Sequence, residues 1–157
     1  MTDFSQIDLK PLISGLLGIN FPIHSLGVMP MSNKVDLPPV LSVLACFCEG
    51  TSKLTRTNRL DLKESDRIVA IVKLIKSLGG KIRWGRNFIK IKGGQILKDG
   101  VVDSFNYHRI AMAASIASIF CNKAIILNGA ENVFKSYPKF FSNFKKLGGC
   151  FSVIDLE

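Results

Sequence analysis

The sequence predicts an α/β fold in which a helix–strand–helix–strand unit occurs twice. Three observations predict it. Apolar residues recur at helical spacing over 61–78 and 107–120. Short alternating or β-branched runs follow them at 51–56, 81–84, 87–92, 124–127 and 150–154. Near-identical punctuation, "KSLGGKI" from Lys76 and "KKLGGCF" from Lys145, marks equivalent points 69 residues apart.

The elements follow in order. Residues 7–17 are apolar at helical spacing and end at Gly18, which predicts a helix, with a strand over 21–28 and a loop at "MPMSNK". Pro38 and Pro39 suit a helix's first turn, where missing amide donors cost little; that helix runs to about residue 49 and stops at Gly50. A strand at 51–56 leads to Asp61, which forms an acidic capping box with Glu64 and starts the next helix. Ile68, Val69, Ile71, Val72, Leu74, Ile75 and Leu78 give this helix a broad apolar face, and Gly79-Gly80 ends it. The runs 81–84 and 87–92 form a hairpin with "GRN" at its turn. The second unit has a helix over 107–120, a strand over 124–127, a helix over 137–147 with Pro138 in its first turn, and a strand after Gly148-Gly149. Helix 107–120 is apolar almost all round and rich in Ala and Ser, so it should be central. The sheet is expected on one side of the packed helices.

Composition bounds the rest. The 157 residues suit one domain, and a chain that is 47% hydrophobic with eleven Phe can bury a core. No window reaches the eighteen or so apolar residues of a membrane span, and the run 110–121 is too short. The start "MTDFSQIDLK" has no basic segment followed by an apolar block, so the expected location is the cytoplasm, away from membranes. Cys46, Cys48, Cys121 and Cys150 lack metal-ligand spacing and read as buried reduced thiols. The net charge of +9 implies attraction to anions, but no polybasic tail or nucleic-acid motif accompanies it.

Cations gather at helix starts: Lys63 and Arg67 in the first unit, His108, Arg109 and Lys135 in the second. Such charges oppose the helix dipole by about 0.3–1 kcal/mol each. Singly they read as ordinary surface charges, Glu64 as a first-turn acid and Asp36 as an N-cap. Their recurrence points to a small anion held by side chains and free amides together.

Three motifs, "LKESDRI" with its helix and "LGG", then "YHRIAMA", then "KSYPKFF", resemble the C-terminal portion of EPSP synthase over about 35–151. The resemblance implies an inside-out α/β barrel built from βαβαββ units, three to each of two domains. This chain would be a single partial domain: residues 1–35 a poorly matched, compressed unit, 36–100 the first clear repeat and 101–157 the second. It implies transfer of the enolpyruvyl group of phosphoenolpyruvate to the 5-hydroxyl of shikimate 3-phosphate, without metal or organic cofactor. By the same resemblance Arg67 and Arg109 would grip the phosphoenolpyruvate carboxylate, Lys135 would lie near its phosphate and His108 would line the pocket. Lys63 would lie near the reacting hydroxyl, Glu64 would exchange the methylene proton, and Asp36 would serve as base at the shikimate hydroxyl.

The family reads "DHR" where this chain has Tyr107-His108-Arg109, so one acid beside the site is lost. The chain is also well under half a family member's length. The expected partners are therefore the two small substrates and, as candidate source of the missing domain, a separate polypeptide; nucleic acid and membrane are not expected. Alone, the chain is expected to be inactive or nearly so. The alternatives are a diverged, non-enzymatic phosphate-ligand-binding protein of the same fold and, further off, a basic nucleic-acid-binding module.

Overall fold

A computed structural model describes residues 6–10, 24–32, 36–57 and 61–154, with 7–10 and 61–66 described by their backbone. In chain order the elements are β1 (Gln6–Lys10), β2 (Val28–Pro30), α1 (Pro38–Phe47), β3 (Thr51–Thr55), α2 (Asp61–Ser77), β4 (Ile82–Gly85) and β5 (Phe88–Lys92). The second unit comprises β6 (Gly100–Asp103), α3 (His108–Ser118), β7 (Ile125–Asn128), a 3-10 helix (Ala130–Lys135), α4 (Phe140–Lys146) and β8 (Cys150–Val153).

From β2 to β5 the order is βαβαββ, and the sheet runs β2-β3-β5-β4. β2 is parallel to β3, while β5 is antiparallel to β3 and β4. The second sheet, β6-β7-β1-β8, has the same plan, with β6 parallel to β7 and the next two strands antiparallel. The fourth strand of this unit is β1, from the other end of the chain. It lies between β7 and β8, pairing Ile7 with Leu127 on one side and with Val153 on the other.

This corrects the helix expected over 7–17. Residues 7–10 are strand, because two flanking strands offer their ladders and "QIDLK" also alternates; residues 11–17 lie outside the described residues. The strand expected over 21–28 contributes only Val28, with 21–23 outside the described residues. The helix expected over 137–147 begins at Phe140, since the 3-10 segment precedes it and Pro138 lies in the intervening turn. β6 lies in a segment for which no element was expected; its four residues are too few to show a period.

The helices lie between the two sheets, which corrects the expectation of one sheet on one side. α1 packs on β3 and β5, α3 on β6, β7 and β1, and α2 touches both β4 and β6. Leu54, Ile71, Leu74, Ile75, Leu78, Ile89 and Ile91 are 0–1% exposed. Each such side chain contributes about 1.5–3 kcal/mol by leaving water. α3 is the central helix, touching α1, α2, the 3-10 helix and three strands. Ala111, Ala113, Ala114 and Ala117 are buried along it and allow that close approach. Its two buried serines return their hydroxyls to the helix, Ser115 donating to the Ala111 carbonyl at 2.9 Å and Ser118 to that of Ser115 at 2.7 Å.

The paired glycines end α2 and α4 in the same way. Gly79 and Gly148 have φ of 76° and 97°, left-handed values that end a helix. The amides of Gly80 and Gly149 donate to the carbonyls of Ile75 and Phe144, at 2.8 and 2.9 Å. A Cβ on Gly80 would lie 2.5 Å from Ile75 Cγ2, and one on Gly149 would overlap the Phe144 ring.

Cys46, Cys48 and Cys121 are buried, as expected, whereas Cys150 is exposed on β8. Burial pushes the Cys46 and Cys121 thiols up to about 12, which keeps both protonated and unreactive. No described helix is long and apolar enough to cross a membrane.

Candidate functional site

The site forms where helix beginnings meet the carboxyl ends of two parallel strands. β6 and β7 run side by side, so the loops leaving them are neighbours, a common place for ligands in open α/β sheets. After β6 the chain turns sharply. Phe105 and Asn106 have φ of 52° and 55°, the Phe105 amide donates to Asp103 Oδ1 at 2.6 Å, and the Tyr107 amide donates to the Ser104 carbonyl at 2.9 Å. A left-handed Phe costs about 1–3 kcal/mol. The turn delivers Tyr107, His108 and Arg109 directly onto the start of α3.

Packing of α1 on α3 brings Asp36 to Arg109. Asp36 Oδ1 lies 2.9 Å from Arg109 Nε. This excludes the N-cap reading of Asp36: the cap position is Leu37, with no side-chain cap bond. At 32% and 47% side-chain exposure the pair adds at most about 1 kcal/mol to stability, so its main consequence is the orientation of both groups.

Arg67, in the second turn of α2, stands with its guanidinium carbon 4.8 Å from the Tyr107 ring centroid. Tyr107 meets His108 edge-on at 5.6 Å. The Tyr107 hydroxyl is buried, with Arg109 as its nearest polar neighbour. Burial raises its pKa above the ordinary value, opposed by nearby Arg67 and Arg109. Tyr107 therefore has both guanidinium groups as neighbours, Arg67 at its ring and Arg109 at its hydroxyl.

Lys135 ends the 3-10 helix after β7 and donates to Asn132 Oδ1 at 2.7 Å. Asn132, 2% exposed, donates in turn to Ser104 Oγ at 3.1 Å and to the Gly129 carbonyl at 3.0 Å. Asn132 thus ties the loop after β7 to the one after β6. Sequence reasoning missed it, because a single Asn in a glycine-containing turn reads as turn chemistry.

His108 reports on the whole cluster. Its pKa lies below the ordinary value of 6.5, first through burial and then through Arg109, with Arg67 and Lys135 lowering it further and Asp36 opposing. Residues from four parts of the chain therefore share one electrostatic neighbourhood. α1 and α3 present their N-termini there with no acid in either first turn. Of the seven residues singled out in the sequence, five converge: Asp36, Arg67, His108, Arg109 and Lys135. The backbone of Lys63 and Glu64 lies in the first turn of α2, but their side chains, like the Asp61–Glu64 capping box, lie outside the described residues. Such an array of cations at helix starts suits an anion with more than one charged group. Among the described residues no group of three or more His, Cys, Asp or Glu side chains is arranged to hold a metal ion.

Comparisons with known proteins identify the family. Residues 20–144 match the family model for EPSP synthase (3-phosphoshikimate 1-carboxyvinyltransferase). The 3-phosphoshikimate 1-carboxyvinyltransferase of Clostridium acetobutylicum is 44% identical over 122 residues, covering 78% of this chain and 28% of that protein. The enzyme of the same name from Clostridium botulinum is 40% identical over 147 residues, 93% of this chain and 34% of that protein. A solved structure of EPSP synthase from Acinetobacter baumannii superposes with a TM-score of 0.69 at 30% identity, over 77% of this chain and 29% of the other. The chain spans about a third or less of each relative's length. A family match over most of the chain and a shared fold lead to one conclusion: this chain belongs to the EPSP synthase family, as a portion with the enolpyruvate transferase fold.

Proposed function

We propose that this chain is part of a single enolpyruvate-transferase domain and that the cluster at its helix starts binds phosphoenolpyruvate. The observation that carries the proposal is the convergence on the start of α3: Asp36 lies 2.9 Å from Arg109, Arg67 lies 4.8 Å from the Tyr107 ring centroid, and Lys135 is tied through Asn132 to Ser104 in the loop before α3. Arg67 and Arg109 take the carboxylate, for which a planar guanidinium fork is better suited than an ammonium. Lys135 and His108 face the phosphate. Lys63 and Glu64, on the first turn of α2, act at the hydroxyl being transferred to and at the methylene carbon.

In the complete enzyme the reaction is enolpyruvyl transfer to the 5-hydroxyl of shikimate 3-phosphate. Protonation of the methylene makes the adjacent carbon electrophilic, and the hydroxyl attacks it while Asp36 accepts the hydroxyl proton. Loss of phosphate and of a methyl proton from the tetrahedral intermediate restores the double bond. Cations around the phosphate stabilise the leaving group, and the carboxylates move protons. This chain supplies one wall of such a site. Without the rest of the enzyme, water is not excluded and the second substrate is not held in line.

Titration calorimetry and a phosphate-release assay test the proposal. Phosphoenolpyruvate is expected to bind, Arg67→Ala and Arg109→Ala each to weaken binding at least about tenfold, as the loss of a charge-assisted contact worth 1.4 kcal/mol or more implies. Phosphate release with both substrates is expected to stay at background. Absence of phosphoenolpyruvate binding would refute the site; robust turnover would refute the incompleteness. Tyr107, standing where the family has an acid, favours a second reading: a phosphate-ligand-binding protein without turnover. A polypeptide that supplies the missing domain and restores turnover supports the enzyme; binding that no such partner converts to turnover supports the second reading.

A further inference from the structure

The outer face of the sheet β2-β3-β5-β4 is a second cationic surface, separate from the helix starts. Strand alternation buries Ser52, Leu54, Ile89, Ile91 and Ile82 against the helices and turns the intervening residues outward. The register sets those outward residues in rows. Lys53 lies opposite Lys90, and Lys90 opposite Arg83, so three cations stand abreast on neighbouring strands. At a strand spacing of about 4.8 Å these are close like charges. In the next row Lys92 lies opposite Thr51, and its amide donates to the Lys81 carbonyl at 3.0 Å. Lys76, Lys81, Arg83, Lys90, Lys92 and Thr51 line a groove of ≈ 560 Å³.

Like charges directly opposite one another destabilise a sheet. No acidic residue occurs between Arg67 and Lys98, a stretch that holds nine of the chain's 21 Lys and Arg, nor on β2 or β3. The third row contains an aromatic. Phe88 lies opposite Gly85 and Thr55, half-buried, with Lys53 Nζ 5.4 Å from its ring centroid. A Cβ on Gly85 would lie 2.7 Å from Phe88 Cε1, so the glycine makes room for the ring to lie across β4.

We infer that this sheet face binds single-stranded nucleic acid. Cations in rows about 5 Å apart across the strands, and about 6.8 Å apart along β5, can follow successive phosphates. The ring beside them is a platform on which one base can stack. An acidic protein segment would use the charges but has no need of the aromatic, which is why the nucleic acid is the better fit. The proposal is independent of the phosphoenolpyruvate site.

Fluorescence anisotropy of a labelled fifteen-nucleotide oligo-U with the full chain tests it. With about four phosphates engaged, the log–log salt slope is expected near −2.8, roughly a 50-fold loss of affinity between 50 and 200 mM salt. The double variant Arg83→Glu/Lys90→Glu is expected to abolish binding, and Phe88→Leu to weaken it about tenfold while leaving the salt slope unchanged. Lys135→Ala is expected to leave oligonucleotide binding intact. Circular dichroism and urea unfolding check that each variant folds; if Arg83→Glu/Lys90→Glu does not, Phe88→Leu and the salt slope decide alone. Absence of binding, an unchanged affinity in Phe88→Leu, loss of binding in Lys135→Ala, or equal affinity for poly-glutamate or anionic phospholipid vesicles would each overturn the inference.

Discussion

At the residue scale, His108 is the best sensor of the site. Its pKa is depressed by burial first and by Arg109 next, and Asp36 is the group that holds it up. Asp36→Asn is therefore expected to lower the His108 pKa further, and phosphoenolpyruvate to raise it by adding negative charge. Proton NMR of the imidazole measures both; a His108 titration unmoved by Asp36→Asn would contradict the geometry. The consequence for stability has a definite sign. The unfolded chain takes up this proton first as pH falls through the ordinary 6.5, so the contribution of His108 to stability falls there. The loss is complete once pH is below the folded value. An anion bound beside the ring raises the folded pKa and so reduces that loss. The individual charges were legible in the sequence, since misplaced cations at helix starts ask for a counter-ion. The Asp36–Arg109 pairing was not, because α1 and α3 had first to be packed together. Nor was the position of Tyr107 beside two guanidinium groups.

At the element scale, the turns explain why the helices stop where they do. The segment 93–95 crosses the end of α1 and gives its amides to orphan carbonyls: Gly94 to Cys48 at 2.6 Å and Gln95 to Cys46 at 3.1 Å. Gly93 lies so close that a Cβ would overlap the Cys48 carbonyl oxygen and come within 2.7 Å of that of Ala45. Backbone oxygens cannot rotate aside. Gly93→Ala is therefore expected to cost more than Gly80→Ala, whose added methyl presses hardest on the Ile75 side chain, at 2.5 Å, and comes no nearer than 3.0 Å to a backbone oxygen, that of Ile75. Repacking a side chain around an extra methyl costs about 1–3 kcal/mol, and the Gly93 variant is expected to exceed that range. Urea unfolding of the two variants makes the comparison; equal midpoints would contradict it. Helices α1, α2 and α3 and the hairpin of β4 and β5 were readable because prolines, glycines and long apolar periods punctuate them. Short strands such as β2 and β6 were not, since three or four residues carry no periodicity.

At the scale of the whole molecule, β1 joins the two ends of the described chain. It is hydrogen-bonded on both sides, to β7 and β8, and completes the second sheet in the position that β5 holds in the first. Asp8 pairs with Ile126 on one side and Ser152 on the other, so a proline there removes a ladder donor from a strand with no solvent edge. Asp8→Pro is expected to destabilise the protein by about 3 kcal/mol or more, measured by chemical denaturation. A variant as stable as the parent would show that β1 is dispensable to the second sheet.

The sequence by itself determined the α/β class and the family and named the candidate charged residues, because these depend on local period, turn chemistry and motif spacing. Only the tertiary structure decided that residues 7–10 form a strand, that the helices lie between two sheets, and that Asp36, Arg67, His108, Arg109 and Lys135 share one neighbourhood. The physical reason is common to all three. Strand pairing and charge clustering are long-range interactions, set by which elements pack together, and they override the local preferences that a one-dimensional pattern records.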